Sequence, residues 1–293
     1  MKLGRLLTAM VTPFDRELNV DYGRARELAR KLVSEGSDGV VVCGTTGESP
    51  TLTNEEKLRL FREVKDALGD SAAVVAGTGN YCTRESVELT RAAAETGVDA
   101  AMAVVPYYNN PPQEGLYRHF RAIAESSPLP LILYNVPSRS PRNLEPATVA
   151  RLASDVKNII AVKEASKNLE QITEIISKTP DGFLVYSGDD STTLPVLGVG
   201  GYGIISVASH VAGPQMRRMI DAYVEGRIGE AQEINKRLLP LFKALFITSN
   251  PIPVKAALKL SGFPVGGLRL PLVEATEQEE AVIAAAMKQS LSQ

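Results

Sequence analysis

Ile159-Ile160-Ala161-Val162-Lys163 is an unbroken apolar run closed by a lysine. A strand with one face in water alternates apolar and polar residues. This run does not, which predicts a strand covered on both faces, as in a parallel sheet. Seven other runs share the character: Leu6–Val11, Gly39–Cys43, Ala73–Ala76, Ala100–Val105, Leu129–Tyr134, Phe183–Tyr186 and Gly203–Val207. Stretches with helical spacing lie between them, among them Asn54–Leu68, Thr83–Glu95, Glu114–Glu125 and Leu169–Lys178. Thr53-Asn54-Glu55-Glu56 supplies a helix cap and acidic first-turn residues. Eight strand–helix units at roughly 20–35 residue spacing predict an α/β fold, the (β/α)8 TIM barrel. An open doubly wound sheet is the alternative. It calls for a glycine-rich phosphate turn after the first strand, where the chain reads Thr12-Pro13-Phe14-Asp15.

More chain follows the eighth strand than one helix needs. Met216–Glu225 reads as the last barrel helix. Ile228–Phe246, Ile252–Ser261 and Val273–Ser290 read as three further amphipathic helices, parted by Asn250-Pro251-Ile252-Pro253 and Gly262-Phe263-Pro264. The expected division is a catalytic barrel over 1–225 and a C-terminal helical extension over 226–293.

Composition narrows the function. The 32 Lys and Arg against 34 Asp and Glu leave no electrostatic footprint for nucleic acid or an anionic membrane. The two cysteines, Cys43 and Cys82, are too few for a disulfide framework, read as small inert fillers, and fit a reducing compartment. His119 and His210 stand in no zinc-like spacing, so no metal site is expected. Neither a signal-peptide cleavage site nor a run of about 18 apolar residues is found, and a soluble cytoplasmic protein is expected.

In such a barrel the chemistry sits in the loops after the strands. Lys163 closes an apolar strand, where desolvation disfavours its charge. Lowering a lysine pKa from about 10.4 to between 7 and 8 amounts to roughly 4 kcal/mol, and such an amine attacks carbonyls to form imines. The competing reading is a lysine that snorkels to the rim or pairs with a carboxylate. Gly44-Thr45-Thr46-Gly47 is either a plain turn or a small anion nest of N–H groups and hydroxyls suited to a carboxylate. Phosphate fits less well, because Asp189 and Asp190 put negative charge where phosphate-binding barrels keep glycines. Tyr134 and Tyr108 at strand ends serve either as rim packing or as acid–base phenols, and Arg139 is either solvated or a fork for a carboxylate. Ser138 and Ser187 have no histidine near them in sequence, which disfavours a hydrolase triad.

Taken in order, these turns form a recognisable set. Gly44-Thr45-Thr46-Gly47-Glu48-Ser49, Pro106-Tyr107-Tyr108-Asn109, Tyr134-Asn135-Val136-Pro137-Ser138-Arg139, Lys163-Glu164-Ala165, Ser187-Gly188-Asp189-Asp190 and Gly203-Ile204-Ile205-Ser206-Val207 resemble the dihydrodipicolinate synthases. These belong with N-acetylneuraminate lyase among the pyruvate-dependent Schiff-base lyases, and the resemblance spans essentially the whole chain. It implies condensation of pyruvate with L-aspartate-4-semialdehyde to 4-hydroxy-tetrahydrodipicolinate, the branch point to diaminopimelate and lysine. It also implies no cofactor beyond a covalent imine between Lys163 and pyruvate. Thr45 and Thr46 would hold the pyruvate carboxylate. Tyr134 would be the acid–base, linked through the Thr45 hydroxyl to a Tyr108 reaching in from a neighbouring subunit. Arg139 would receive the aldehyde's carboxylate, and Gly188 and Ile205 would offer carbonyls near the imine. The rivals are a 2-keto-3-deoxy sugar-acid or N-acetylneuraminate-type aldolase and a catalytically silent barrel that binds small acids. Arg139 favours the synthase.

The family's usual assembly is a homotetramer, a dimer of tight dimers. Its lysine-effector site would correspond to Ser49, Tyr81, Glu85 and Tyr107. Here Tyr81 replaces the usual asparagine, and Asn54 and Lys57 stand where sensitive enzymes often carry histidine. Weak or absent lysine inhibition is therefore expected. Ser140-Pro141-Arg142 departs from the usual Thr-Gly, stiffening that loop and adding a cation near the substrate's approach.

Overall fold

The computed structural model describes residues 3–292. Strands β1 (Leu6–Ala9), β2 (Gly39–Val42), β3 (Ala73–Gly77), β4 (Ala100–Val104), β5 (Leu131–Asn135), β6 (Ile159–Glu164), β7 (Leu184–Ser187) and β8 (Gly203–Ser206) pair in parallel. They run in sequence order and close into a barrel, β8 returning to β1. Helices α1 (Tyr22–Ser34), α2 (Asn54–Leu68), α3 (Thr83–Ala94), α4 (Gln113–Glu125), α5 (Pro146–Asp155), α6 (Leu169–Lys178), α7 (Thr193–Gly198) and α8 (Ser209–Val224) follow the strands. Three more, α9 (Ile228–Ala244), α10 (Ile252–Leu260) and α11 (Glu277–Leu291), complete the chain.

The apolar strands are buried on both faces because successive side chains serve two cores. Leu7, Val41, Val75, Ile132 and Tyr186 fill the barrel interior. Leu6, Val40, Val42 and Val74 point outward and meet helix faces such as Ala25, Leu28, Ala29 and Leu32 of α1. Fully burying a leucine of this kind stabilises by about 1.5–3 kcal/mol. The helix starts are fixed by side chains. Thr53 and Glu56 form a capping box on α2, Asn168 caps α6, and Thr276 with Glu279 repeats the box on α11.

Several boundaries differ from the sequence reading. Strand β5 begins at Leu131, because Pro130 has no N–H to give the ladder and pairing starts with Leu131 N–H donating to the Asn158 carbonyl (2.7 Å). The last barrel helix begins at Ser209 and not at Met216. Ala212 departs from helical geometry (φ −129°, ψ 27°) just before Pro214, and this kink hides the first turns from the pattern. Helix α11 starts at Glu277, where its capping box sits, and not at Val273.

One irregularity sets the direction of the key lysine. Between β5 and β6 the register steps from Leu131↔Ile159 to Ile132↔Ala161, so β6 holds one extra residue. A one-residue step exchanges the two faces of a strand. Ile159 packs outside the barrel, whereas Ala161 packs inside it, two residues on. Lys163 follows Ala161 to the inner face and lies opposite Tyr134.

Candidate active site

Lys163 is only 5% exposed, and its ammonium stands 4.4 Å from the centre of the Tyr134 ring. Among the described residues no carboxylate forms an ion pair with it, so neither rim snorkelling nor charge pairing accounts for it. Its neighbour Glu164 points the other way. That carboxylate accepts from Asn135 Nδ2 (2.9 Å), Ser166 N–H (2.8 Å) and Gln171 Nε2 (3.2 Å). Burial raises the Glu164 pKa, and these hydrogen bonds oppose the rise. Asn135 Nδ2 also donates to Asn143 Oδ1 (2.8 Å), which ties the loop after β5 to the end of β6.

Two adjoining cavities open here, one of them over Lys163. The inner one, about 170 Å³, is lined by Thr45, Thr46, Tyr134, Arg139, Lys163 and Gly188, among others. The second, about 220 Å³, shares Thr45, Tyr134, Val136 and Arg139 and extends to Ser49 and Tyr107. The turn after β2 is built by Gly47 and Ser49 N–H donating to the Gly44 carbonyl (3.0 and 3.3 Å) and by Glu48 N–H donating to the Thr45 carbonyl (3.1 Å). The Thr45 and Thr46 N–H groups make no hydrogen bond among the described residues. Free N–H groups beside a buried ammonium suit a carboxylate. Gly188 allows close approach: a β-carbon there would lie 2.6 Å from the Ala165 β-carbon.

The structure brings together Lys163, Tyr134, Thr45, Thr46, Arg139 and Gly188. Two expected residues lie elsewhere. Ile205 packs in the barrel interior and lines neither cavity. Tyr108 is 93% exposed, with a left-handed backbone (φ 73°), and faces away from its own chain's cavities. No hydrogen bond joins Tyr134 to Thr45 within the chain. Ser49, Tyr81, Glu85 and Tyr107 gather beside the second cavity. Tyr81 meets the Tyr107 ring edge to face at 5.2 Å, and burial with the nearby Glu85 raises the Tyr107 pKa. Lys57 feels the same Glu85, although burial pulls its pKa down. Arg142 lines neither cavity and donates instead to the Asn110 carbonyl (3.3 Å). Burial pushes the Cys43 thiol up to about 12, which leaves it protonated and inert at neutral pH.

Asn250 is a site residue that the sequence reading passed over. Its amide donates to Thr46 Oγ1 (2.8 Å), and its backbone carbonyl accepts from Arg139 Nη2 (3.2 Å). Set in a Pro-flanked break between helices, it gave no signal beyond that of a linker. Beneath the same turn, Lys255 Nζ lies 2.7 Å from Glu48 Oε1, both fully buried, and Arg269 N–H donates to Glu48 Oε2 (3.1 Å). The tail therefore braces the turn from behind. Among the described residues no three His, Cys, Asp or Glu side chains stand together as a metal site, and no helix is long and apolar enough to cross a membrane.

The sequence model of the Dihydrodipicolinate synthetase family matches residues 2–290. The chain belongs to that family. A member from Moorella thermoacetica, a 4-hydroxy-tetrahydrodipicolinate synthase, is 60% identical over 290 residues, 99% of each chain. One of the same name from Heliobacterium modesticaldum is 59% identical over 97% of this chain and 94% of its own. Among solved members of the dihydrodipicolinate synthetase family, the Cyanidioschyzon merolae enzyme, described with lysine bound, superposes with a TM-score of 0.97. It is 49% identical, with 98% of each chain covered. The Thermotoga maritima enzyme gives 0.96 at 39% identity over 99% of each chain.

Proposed function

We propose that this chain condenses pyruvate with L-aspartate-4-semialdehyde to give 4-hydroxy-tetrahydrodipicolinate, the committed step toward diaminopimelate and lysine. The observation that carries the reading is Lys163, buried without a counter-ion on the barrel's inner face, beside Tyr134 and the two free threonine N–H groups. The names of relatives near 60% identity favour it over a sugar-acid aldolase or a silent acid-binding barrel.

The Lys163 amine adds to the ketone carbon of pyruvate and water leaves, forming an imine while Thr45 and Thr46 hold the carboxylate. A proton leaves the methyl carbon, giving an enamine that attacks the aldehyde carbon. Tyr134 moves protons at the reacting oxygens, and Arg139 takes the aldehyde substrate's carboxylate as a planar fork. The substrate's amine then displaces Lys163 from the imine carbon and closes the ring. The imine is the only group the chemistry adds, and no cofactor takes part. Tyr108 completes the neighbouring subunit's site, and Ile205 contributes through its backbone. The assembly is a homotetramer of tight dimers in the cytoplasm, without nucleic-acid or membrane partners. Ser49, Tyr81, Glu85 and Tyr107 form an effector pocket to which lysine binds weakly.

Borohydride added with pyruvate tests the first step. The expected result is a reduced adduct on Lys163, absent in Lys163→Ala. A parent protein that gains none overturns the reading. A coupled assay with L-aspartate-4-semialdehyde, run beside 2-keto-3-deoxy sugar acids and N-acetylneuraminate, then fixes the second substrate.

A further inference from the structure

The inner cavity has an antechamber. A space of about 240 Å³ is walled by Lys167, Asp189, Ser191, Phe242, Lys243 and Phe246. Lys167, Asp189 and Phe246 also line the cavity over Lys163, so the two spaces adjoin. Asp189 is 8% exposed and lines both spaces. Its Oδ1 accepts from Ser191 N–H (3.0 Å) and Ser191 Oγ (2.5 Å), and its Oδ2 lies 2.8 Å from Lys167 Nζ. Lys243 also lines this space, and Arg139 and Lys163 line the inner cavity.

The backbone aims Lys167 at this spot. It adopts the left-handed region (φ 61°), which is uncommon for a residue with a side chain. The chain on each side is fixed: Ser166 N–H is held by Glu164, and Asn168 caps α6. Strain of this kind persists only where its surroundings impose it, and it concentrates at functional sites.

We infer that the antechamber is the approach of anionic substrates to Lys163, and that Lys167 is a specificity-determining residue there, cancelling the Asp189 charge that would otherwise turn carboxylates away. The inference rests on the imine reading above. The Lys167 side chain is 59% exposed while that of Asp189 is 10% exposed, so the cation sits on the solvent side and meets an arriving anion first.

The test compares the parent with Lys167→Met, Lys167→Arg, Asp189→Asn and the Lys167→Met/Asp189→Asn double variant. Pyruvate is titrated against borohydride-trapped imine, and steady-state kcat and KM are measured alongside. In Lys167→Met the half-saturating pyruvate rises about tenfold at low salt, falls back as salt is added, and kcat stays within about twofold. Lys167→Arg matches the parent, and the double variant regains the parent's half-saturation. An unchanged half-saturation in Lys167→Met overturns the inference, and so does a rise that Asp189→Asn fails to reverse, which would mark lost shape and not lost charge. Absence of any adduct in the parent overturns the imine reading itself, and this inference with it.

Discussion

At the scale of single residues, what matters is which charges the fold forbids. His210 is fully enclosed: Nδ1 bonds the Val207 carbonyl (2.8 Å), and Nε2 accepts from Val11 N–H (3.1 Å). Burial lowers the pKa of both His210 and His119 to about 4. Between about 4 and 6.5 the unfolded chain therefore binds more protons than the native one, and stability rises with pH across that window. Asp190 acts in the opposite sense, since burial raises its pKa to about 6 and the native state keeps the proton longer. Glu164, also raised by burial, joins Asp190, so a histidine contribution is isolated by difference: acidification from pH 7 to 4.5 removes roughly 2 kcal/mol more unfolding free energy from the parent than from His119→Phe. Urea titrations of both proteins at the two pH values measure this, and equal pH dependences would contradict it. Lys57 gives a second expectation. A cation that shares Glu85 with Tyr107 repels a cationic effector, so free lysine at sub-millimolar concentration leaves most activity intact. Half-inhibition in that range would contradict it.

At the scale of elements, the barrel was legible because each strand is a predominantly apolar run, and such runs report two-sided burial without needing neighbours. The site was legible in part because Lys163 and Tyr134 close such runs and Thr45 stands in the turn just after one. The extra residue in β6 left no trace, since Ile159, Ile160 and Ala161 are all apolar whichever face they occupy. The contributions of Asn250 and Lys255 were equally silent, because contacts spanning about two-thirds of the chain have no local pattern. The Lys255–Glu48 pair carries its own prediction. Breaking a buried ion pair leaves an uncompensated charge, so Glu48→Gln or Lys255→Met costs about 3–5 kcal/mol, and the double variant costs less than the sum. Chemical denaturation of the four proteins measures it; additive losses would show that the two groups act independently.

At the scale of the whole molecule, Tyr108 is the clearest outward-facing feature. Its phenol lies almost fully in solvent, on a loop held by Asn109 donating to the Tyr81 carbonyl (2.9 Å), and lines neither cavity of its own chain. If it completes a neighbour's site, Lys163→Ala and Tyr108→Phe are each impaired alone, yet mixing them restores activity. Random pairing makes half the dimers mixed, each with one intact site, so about a quarter of the parent rate returns. Recovery is measured after denaturing and refolding the two variants together. No gain over the separate proteins would place Tyr108 outside the chemistry.

The reach of the tail also has a consequence for synthesis. Thr46 and Asn250 are 204 residues apart, and translation at about 5–20 residues per second separates their emergence by roughly 10–40 s. Throughout that interval the nascent chain exposes a threonine turn whose brace has not yet been made. A ribosome that stalled after α8 would hold all eight strands and Lys163, yet the turn beside it would lack the amide that fixes Thr46. The contacts that fix Thr46 are therefore complete only once Asn250 has emerged, and they belong to barrel and tail together and not to the barrel alone.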